Sequence, residues 1–255
     1  MHPTTDSLTD ARVGIVGAGR LGTALSAALR ENGVLVEGPA GRGEVPRGCG
    51  AVVLCVPDAE IPAAAATVAG AAPLTGHTSG ATGLNALEPA GGAAFGLHPL
   101  QTFPPGSGSE TFTGAGCAVA GSSPEALAFA AGLARTLGMT PFEIDDEGRA
   151  AYHAAASVAS NFTVTLLAAA ERIAARAGLS PADARRLLAP LVQRTVESVA
   201  ELGPAQALTG PVARGDDATV EAQRMAIEES APELLDLFDE LVRHTRALAG
   251  HEVTA

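Results

Sequence analysis

Residues 13–22 read VGIVGAGRLG, and the fold turns on how these ten positions are read. Arg12–Val16 has the look of a short buried strand. Gly17-Ala18-Gly19-Arg20-Leu21-Gly22 then opens a segment whose apolar residues, Leu21, Ala24, Leu25, Ala28 and Leu29, recur at helical spacing until Asn32-Gly33. A second strand is expected near residues 34–39. A GxGxxG alone is a weak signal, but one placed after a strand, before a helix and ahead of a second strand is a strong one for a dinucleotide cradle. Gly17 permits the tight turn, Gly19 leaves room for a pyrophosphate, and Gly22 lets helix and strand approach. The N–H groups at the helix start then face the phosphates.

The pattern continues outward. Ala51–Val56 is a continuous apolar strand that turns out through Val56-Pro57-Asp58. Pro73–His77 leads to His77-Thr78-Ser79-Gly80, and Ala93–Leu97 ends at His98-Pro99. Cys117–Ala120, a helix from Pro124 to Leu137 and Thr140–Ile144 complete the alternation. Strands separated by helices predict a doubly wound, mostly parallel sheet with ligands beyond the strand carboxyl ends. The α/β domain is expected over 11–146. Expected cofactor contacts are Gly17, Ala18, Gly19, Arg20, Leu21, Gly22, Val56, Pro57, Asp58, Thr78 and Ser79. Glu37 lies about twenty residues after Gly17, as the acid of an NAD site would. It sits within the strand, however, and the loop beyond carries Arg42, which suits a 2′-phosphate. NADP is therefore expected, with NAD as the alternative.

Composition narrows the function. The formal charge of −12 and the absence of a basic cluster argue against nucleic acid. All sixteen basic residues are Arg, so no P-loop, Schiff-base lysine or lysine proton donor exists. Three scattered cysteines without a CxxC give neither a disulfide framework nor a zinc site, and no metal is expected. His77 and His98 lack a third ligand. The N-terminus MHPTTDSLTD has neither a basic nor an apolar region of a signal peptide, and a reducing cytoplasmic setting fits.

After Glu147 the strand signals stop, and an all-helical domain is expected over 147–250. Residues 150–170, AAYHAAASVASNFTVTLLAAA, carry no charged side chain. Their length would suit a membrane, but seven polar side chains and the flanking acids argue for burial between protein elements. In one α-helix His153, Ser157 and Asn161 share a stripe. That stripe either lines a polar cleft or forms a helix–helix interface, including one between two copies. Ser180-Pro181 begins another helix, and 208–216, LTGPVARGD, is a loop with Arg214 and Asp216.

GAGRLG, the VPD turn, HTSG (77–80), LHPLQTF (97–103), YHAAASVASN (152–161) and LTGPVARGD (208–216) together resemble a bacterial family of Rossmann-like proteins with a helical domain of unknown function, DUF2520. The likeness spans almost the whole chain in order. It is similar in architecture to ketopantoate reductases, 6-phosphogluconate dehydrogenases and pyrroline-5-carboxylate reductases. The resemblance implies an NADP-dependent oxidoreductase and leaves the substrate loose, with ketopantoate as one case. Ketopantoate reductases carry Lys, Asn and Asn four apart where this chain has His153, Ser157 and Asn161, so their lysine chemistry does not transfer.

The expectation is therefore reduction of a small carboxylate-bearing carbonyl compound. His153 is the first candidate acid and His98 the second. Ser157 and Asn161 would hold the carbonyl or carboxylate, and Arg214 would pair with the carboxylate. The rivals are an NADP-binding sensor without catalysis and an imine reductase. No membrane partner is expected, and a homodimer through the helical domain is.

Overall fold

A computed structural model describes residues 12–250; the reading of the N-terminal stretch lies outside the described residues. The first half alternates as expected. Its elements are β1 (Val13–Val16), α1 (Arg20–Glu31), β2 (Val36–Ala40), β3 (Ala51–Leu54), α2 (Ile61–Thr67), β4 (Leu74–His77), β5 (Ala93–Leu100), β6 (Gly116–Gly121), α3 (Pro124–Thr136) and β7 (Thr140–Glu143). The strands form one sheet in the order β2-β1-β3-β4-β5-β6-β7. Its order reverses beside β1, which makes the carboxyl end of β1 and β3 the crevice of a doubly wound sheet.

Burial explains why these segments are strands and helices. Every residue of β1 and β3 is buried, as suits parallel strands covered on both faces. On α1 the buried residues Ala24, Leu25, Ala28 and Leu29 fall on one face. Leu25 and Leu29 are fully buried, each stabilising the fold by roughly 1.5–3 kcal/mol. Ser123 caps α3 by accepting the Ala126 N–H at 3.2 Å.

The sheet is mostly parallel, as expected, with β6 running antiparallel to its neighbour β5. One expectation about the sheet needs correcting: β5 continues past Leu97 to Leu100, so His98 and Pro99 lie inside a strand rather than in the loop after it. Past Gly96 the pairing with β4 has ended and only β6 lies alongside. A proline is tolerated there because no ladder bond is needed on the open side.

The rest of the described chain is helical: α4 (Arg149–Ser157), a π turn (Val158–Phe162), α5 (Thr163–Ala174), α6 (Pro181–Leu202), α7 (Pro204–Ala207), α8 (Pro211–Arg214), α9 (Asp217–Ser230) and α10 (Leu235–Leu248). Residues divide into two compact units, 1–160 and 161–255. The first unit thus takes in α4 as well as the sheet. Residues 150–170 were expected to be buried, and within one chain they are not: Val158, Phe162, Val164 and Leu166 are all exposed. Length and composition would allow the run Arg149–Ala177 to cross a membrane, and most of it is not buried inside the chain. The four-residue stripe also assumed an unbroken α-helix; Asn161 instead sits in the wider π turn.

Candidate functional site

Main-chain hydrogen bonds extend the sheet beyond its strand ends and bring three loops side by side. Gly17 N–H donates to the Ala40 carbonyl at 2.9 Å, Cys55 N–H to Val16 at 2.7 Å and Thr78 N–H to Leu54 at 3.2 Å. The resulting cleft is lined by Gly19, Arg20 and Leu21 from the first loop, Cys55, Val56 and Asp58 from the second, and Thr78, Ser79 and Phe103 beyond them.

The three motif glycines differ in why they are glycines. Gly17 has φ +106°, and a Cβ there would lie 2.2 Å from the Cys55 carbonyl oxygen. At Gly22 a Cβ would lie 1.9 Å from the Gly17 carbonyl oxygen. The fold itself therefore demands both. A Cβ on Gly19 would meet nothing within 4 Å, and its φ of −72° is ordinary for any residue. Gly19 is the N-cap of α1, with no side-chain cap. This is the geometry of a helix start left open for an anion, so the residues present fit a dinucleotide pyrophosphate.

The next loops are tied together. Ser79 Oγ donates to Asp58 Oδ2 at 2.8 Å and accepts the N–H groups of Ala81 and Thr82 at 3.2 and 2.9 Å. His77 is fully buried; its Nδ1 accepts the Ser79 N–H at 3.2 Å, which leaves the proton on Nε2, facing the Gly83 carbonyl at 3.4 Å. Burial holds its pKa below the usual histidine value. His77 is thus a neutral buttress of the loop. Burial also pushes the Cys55 thiol up to about 12, so it remains protonated. Among the described residues no three His, Cys, Asp or Glu side chains are grouped to hold a metal.

Both residues that bear on the ribose end have protein partners. Arg42 is 86% exposed and reaches both Glu60 carboxylate oxygens at 2.9 Å. Glu37 is exposed and faces Arg12 at 3.5 Å.

Beside this cleft lies a cluster of protonable groups. His98 Nδ1 is 2.6 Å from the Tyr152 hydroxyl, with the rings edge-on at 5.5 Å. The His153 ring centre is 6.4 Å from that of His98, and Phe142 supports Tyr152 from the side at 5.8 Å. A Cβ on Gly80 would sit 2.7 Å from His98 Cε1, so the imidazole lies directly on the loop that supplies Ser79. Burial, and next the neighbouring His153, lower the His98 pKa to about 4. His98 is therefore neutral at neutral pH. Burial raises Tyr152 to about 12, with Cys117 adding to the rise and Arg149 opposing it. Arg149 is only 4% exposed. Its Nε donates to Asp146 at 3.0 Å, while its Nη2 has no hydrogen-bond partner among the described residues.

Of the five residues expected at the reaction centre, His98, His153 and Ser157 belong to the first unit, Asn161 and Arg214 to the second. His153 and Arg214 are exposed. Tyr152 and Arg149 were not singled out from the sequence. The only signal for Tyr152 was its being the one tyrosine in the chain.

Comparison with known proteins bears on family and fold. Residues 115–245 match a family described as a domain of unknown function, DUF2520. No curated protein matches the chain by sequence. Among solved structures, the chain resembles BF3122 of Bacteroides fragilis, provisionally named an NADP oxidoreductase, with 24% identity and a TM-score of 0.80 over 94% of this chain and 99% of that one. Protein TM1727 of Thermotoga maritima follows at 25% identity and a TM-score of 0.72, over 93% and 98%. The pyrroline carboxylate reductase of Plasmodium falciparum, solved with NADP bound, has 12% identity and a TM-score of 0.62 over 95% and 99%. These likenesses establish the Rossmann-type fold.

Proposed function

We propose that this chain, which belongs to the DUF2520 family, is an NADP(H)-dependent oxidoreductase that reduces a small carboxylate-bearing carbonyl compound in the cytoplasm. The observation that carries the reading is Gly19. The chain's own packing asks for no glycine there, and the position opens the cleft at the start of α1. The helix start would hold the pyrophosphate, Arg42 the 2′-phosphate, and Val56, Pro57, Asp58, Thr78 and Ser79 the far wall. The bound dinucleotide supplies a hydride. The cluster of His98, Tyr152 and His153 supplies a proton and a place for the reacting oxygen, and Ser157 on the same helix is a candidate to orient it.

Two measurements test this. Gly19→Val is expected to abolish NADPH binding while leaving the melting temperature unchanged, since the new side chain meets only the ligand. Oxidation of NADPH is then followed against a panel of 2-oxo acids and cyclic imines, with turnover expected for a 2-oxo acid. Tight NADPH binding without turnover on any compound would instead favour a sensor. Turnover on imines alone would favour the second reading, imine reduction. The likeness to a pyrroline carboxylate reductase and the absence of lysine support that alternative, because a protonated imine needs no strong acid.

We also propose that the protein works as a homodimer through its helical unit. Within that unit the fully covered apolar residues are few and mostly small: Ala169, Ala184, Val220, Ile227 and Ala231. Val164, Leu187, Leu191, Val196 and Met225 stand exposed. A second copy of the same surface is the occupant that would complete this core.

A further inference from the structure

Three groups compete to protonate the substrate, and they differ in two respects that matter for an acid. A donor must hold its proton at working pH and must be fixed in place. His98 is fixed, by Tyr152 and by its seat on Gly80, but it is deprotonated. His153 is exposed, and its ring approaches His98 at a tilt. Tyr152 meets both conditions: its phenol keeps its proton, and it is held by a 2.6 Å hydrogen bond and two edge-on ring contacts. It is half-buried, so one side remains open.

Arg149 supplies what a tyrosine donor further requires. A phenol that gives up its proton leaves a phenolate, and a phenolate in a half-buried site needs a counter-charge. Arg149 lies one helical turn before Tyr152, is buried, and favours the ionised form of Tyr152. Its Nη2 is the one guanidinium nitrogen left buried without a partner among the described residues. Its partner Asp146 is largely exposed, so among the described residues no counter-charge meets the buried side of the guanidinium.

We infer that Tyr152 is the proton donor of the reduction, with His98 Nδ1 positioning its oxygen and the buried Arg149 guanidinium offsetting the charge left on it. The inference rests on the proposed reductase activity. In the tautomer with its proton on Nδ1, His98 donates to Tyr152 Oη and leaves the phenol O–H free to face the substrate. A reduced nicotinamide held at the start of α1 would supply the hydride for the new C–H bond, and the carbonyl π pair would move onto oxygen. The Oη–H bond breaks as the substrate O–H bond forms. The tyrosinate, held by His98 and facing Arg149, then recovers a proton from solvent. The developing alkoxide is a far stronger base than a phenolate, so the raised phenol pKa does not prevent the transfer. The titratable groups that act on Tyr152 are His98 from β5, Cys117 from β6 and Arg149 from α4; His153, also from α4, approaches His98. Cys117, a thiol pushed up to about 12 by burial, stays neutral across the physiological range.

The test uses the full chain and a 2-oxo acid that the parent reduces. Tyr152→Phe keeps the ring against His98 and Phe142 and removes only the hydroxyl. Turnover is expected to fall by about 10²–10⁴-fold, with the NADPH dissociation constant changed by less than about twofold. Turnover of the parent is expected to stay level from about pH 5 to pH 8, the window in which an unperturbed imidazole donor would lose its proton. Full turnover in Tyr152→Phe overturns the inference, and so does a parent rate that falls through that window. If the variant fails to fold, the parent's pH profile decides alone. A parent that binds NADPH but reduces nothing in the panel overturns the reductase reading, and this inference with it; a reducing parent with an active Tyr152→Phe overturns this inference only.

Discussion

At Gly19 a Cβ would meet no protein atom within 4 Å, whereas at Gly17 and Gly22 it would strike the backbone. The same motif therefore mixes residues fixed by folding with one left to a ligand. Arg42 poses a comparable question of competing partners, because its guanidinium is taken by Glu60. An exposed pair of this kind is worth about 0–1 kcal/mol, so a 2′-phosphate with a larger charge can displace Glu60. Arg42→Ala is then expected to weaken NADPH about tenfold or more while sparing NADH. Glu60→Gln is expected to strengthen NADPH and leave NADH alone. Calorimetric titration of both cofactors checks this; equal effects on the two would mean that Arg42 does not read the 2′-phosphate. The tight turn at Gly17 and the close approach at Gly22 were legible in the sequence because their causes are local, set by a strand, a turn and a helix in succession. The cluster around Tyr152 and Arg149 was not. The bond on which the proposed role of Tyr152 rests joins it to a residue 54 positions away, and no spacing rule spans that distance.

Strands and helices were legible in proportion to how local their causes are. The Ser180-Pro181 helix start appears as read, with Ser180 accepting the Asp183 N–H at 3.1 Å. The antiparallel direction of β6 was not visible, since it is set by which edge of the sheet the chain rejoins. Nor was the extension of β5 through His98 and Pro99, which depends on β6 lying alongside. One result of that extension is that neighbouring strands β4 and β5 both carry an imidazole held at least partly from water, His77 fully buried and His98 half-buried. Both pKa values are lowered in the folded protein. Below the ordinary histidine value of 6.5 the unfolded chain therefore binds more protons than the folded one, and stability falls as the pH falls. For His98 the loss runs from 6.5 down to about 4 and then stops. The melting temperature is expected to be level above about pH 7 and to drop as the pH is lowered towards about 5. His98→Gln is expected to shrink that drop; an unchanged slope would show that the imidazole is not held neutral.

For the whole molecule the main departure from the sequence reading is the uncharged helix. Its composition was read as burial between protein elements or in a helix–helix interface; the single chain leaves its Val164 67% exposed, and Leu191 on α6 64% exposed. Composition records that a face is kept from water without recording which molecule covers it. If a second copy does so, sedimentation is expected to give twice the 25.3 kDa of one chain. Leu191→Arg or Val164→Arg is expected to give the single mass, because an unpaired charge would be trapped in the interface. A parent that sediments as one chain, with flotation on lipid vesicles, would assign the face to a membrane instead. The chain as a whole also contains one tyrosine and no tryptophan, and that tyrosine stands between His98 and Phe142. Its near-ultraviolet emission is therefore a single-site optical signal. A reduced nicotinamide nearby would accept its excitation energy, so quenching of tyrosine light, with nicotinamide light gained in its place, would report occupancy of the cleft without any added label.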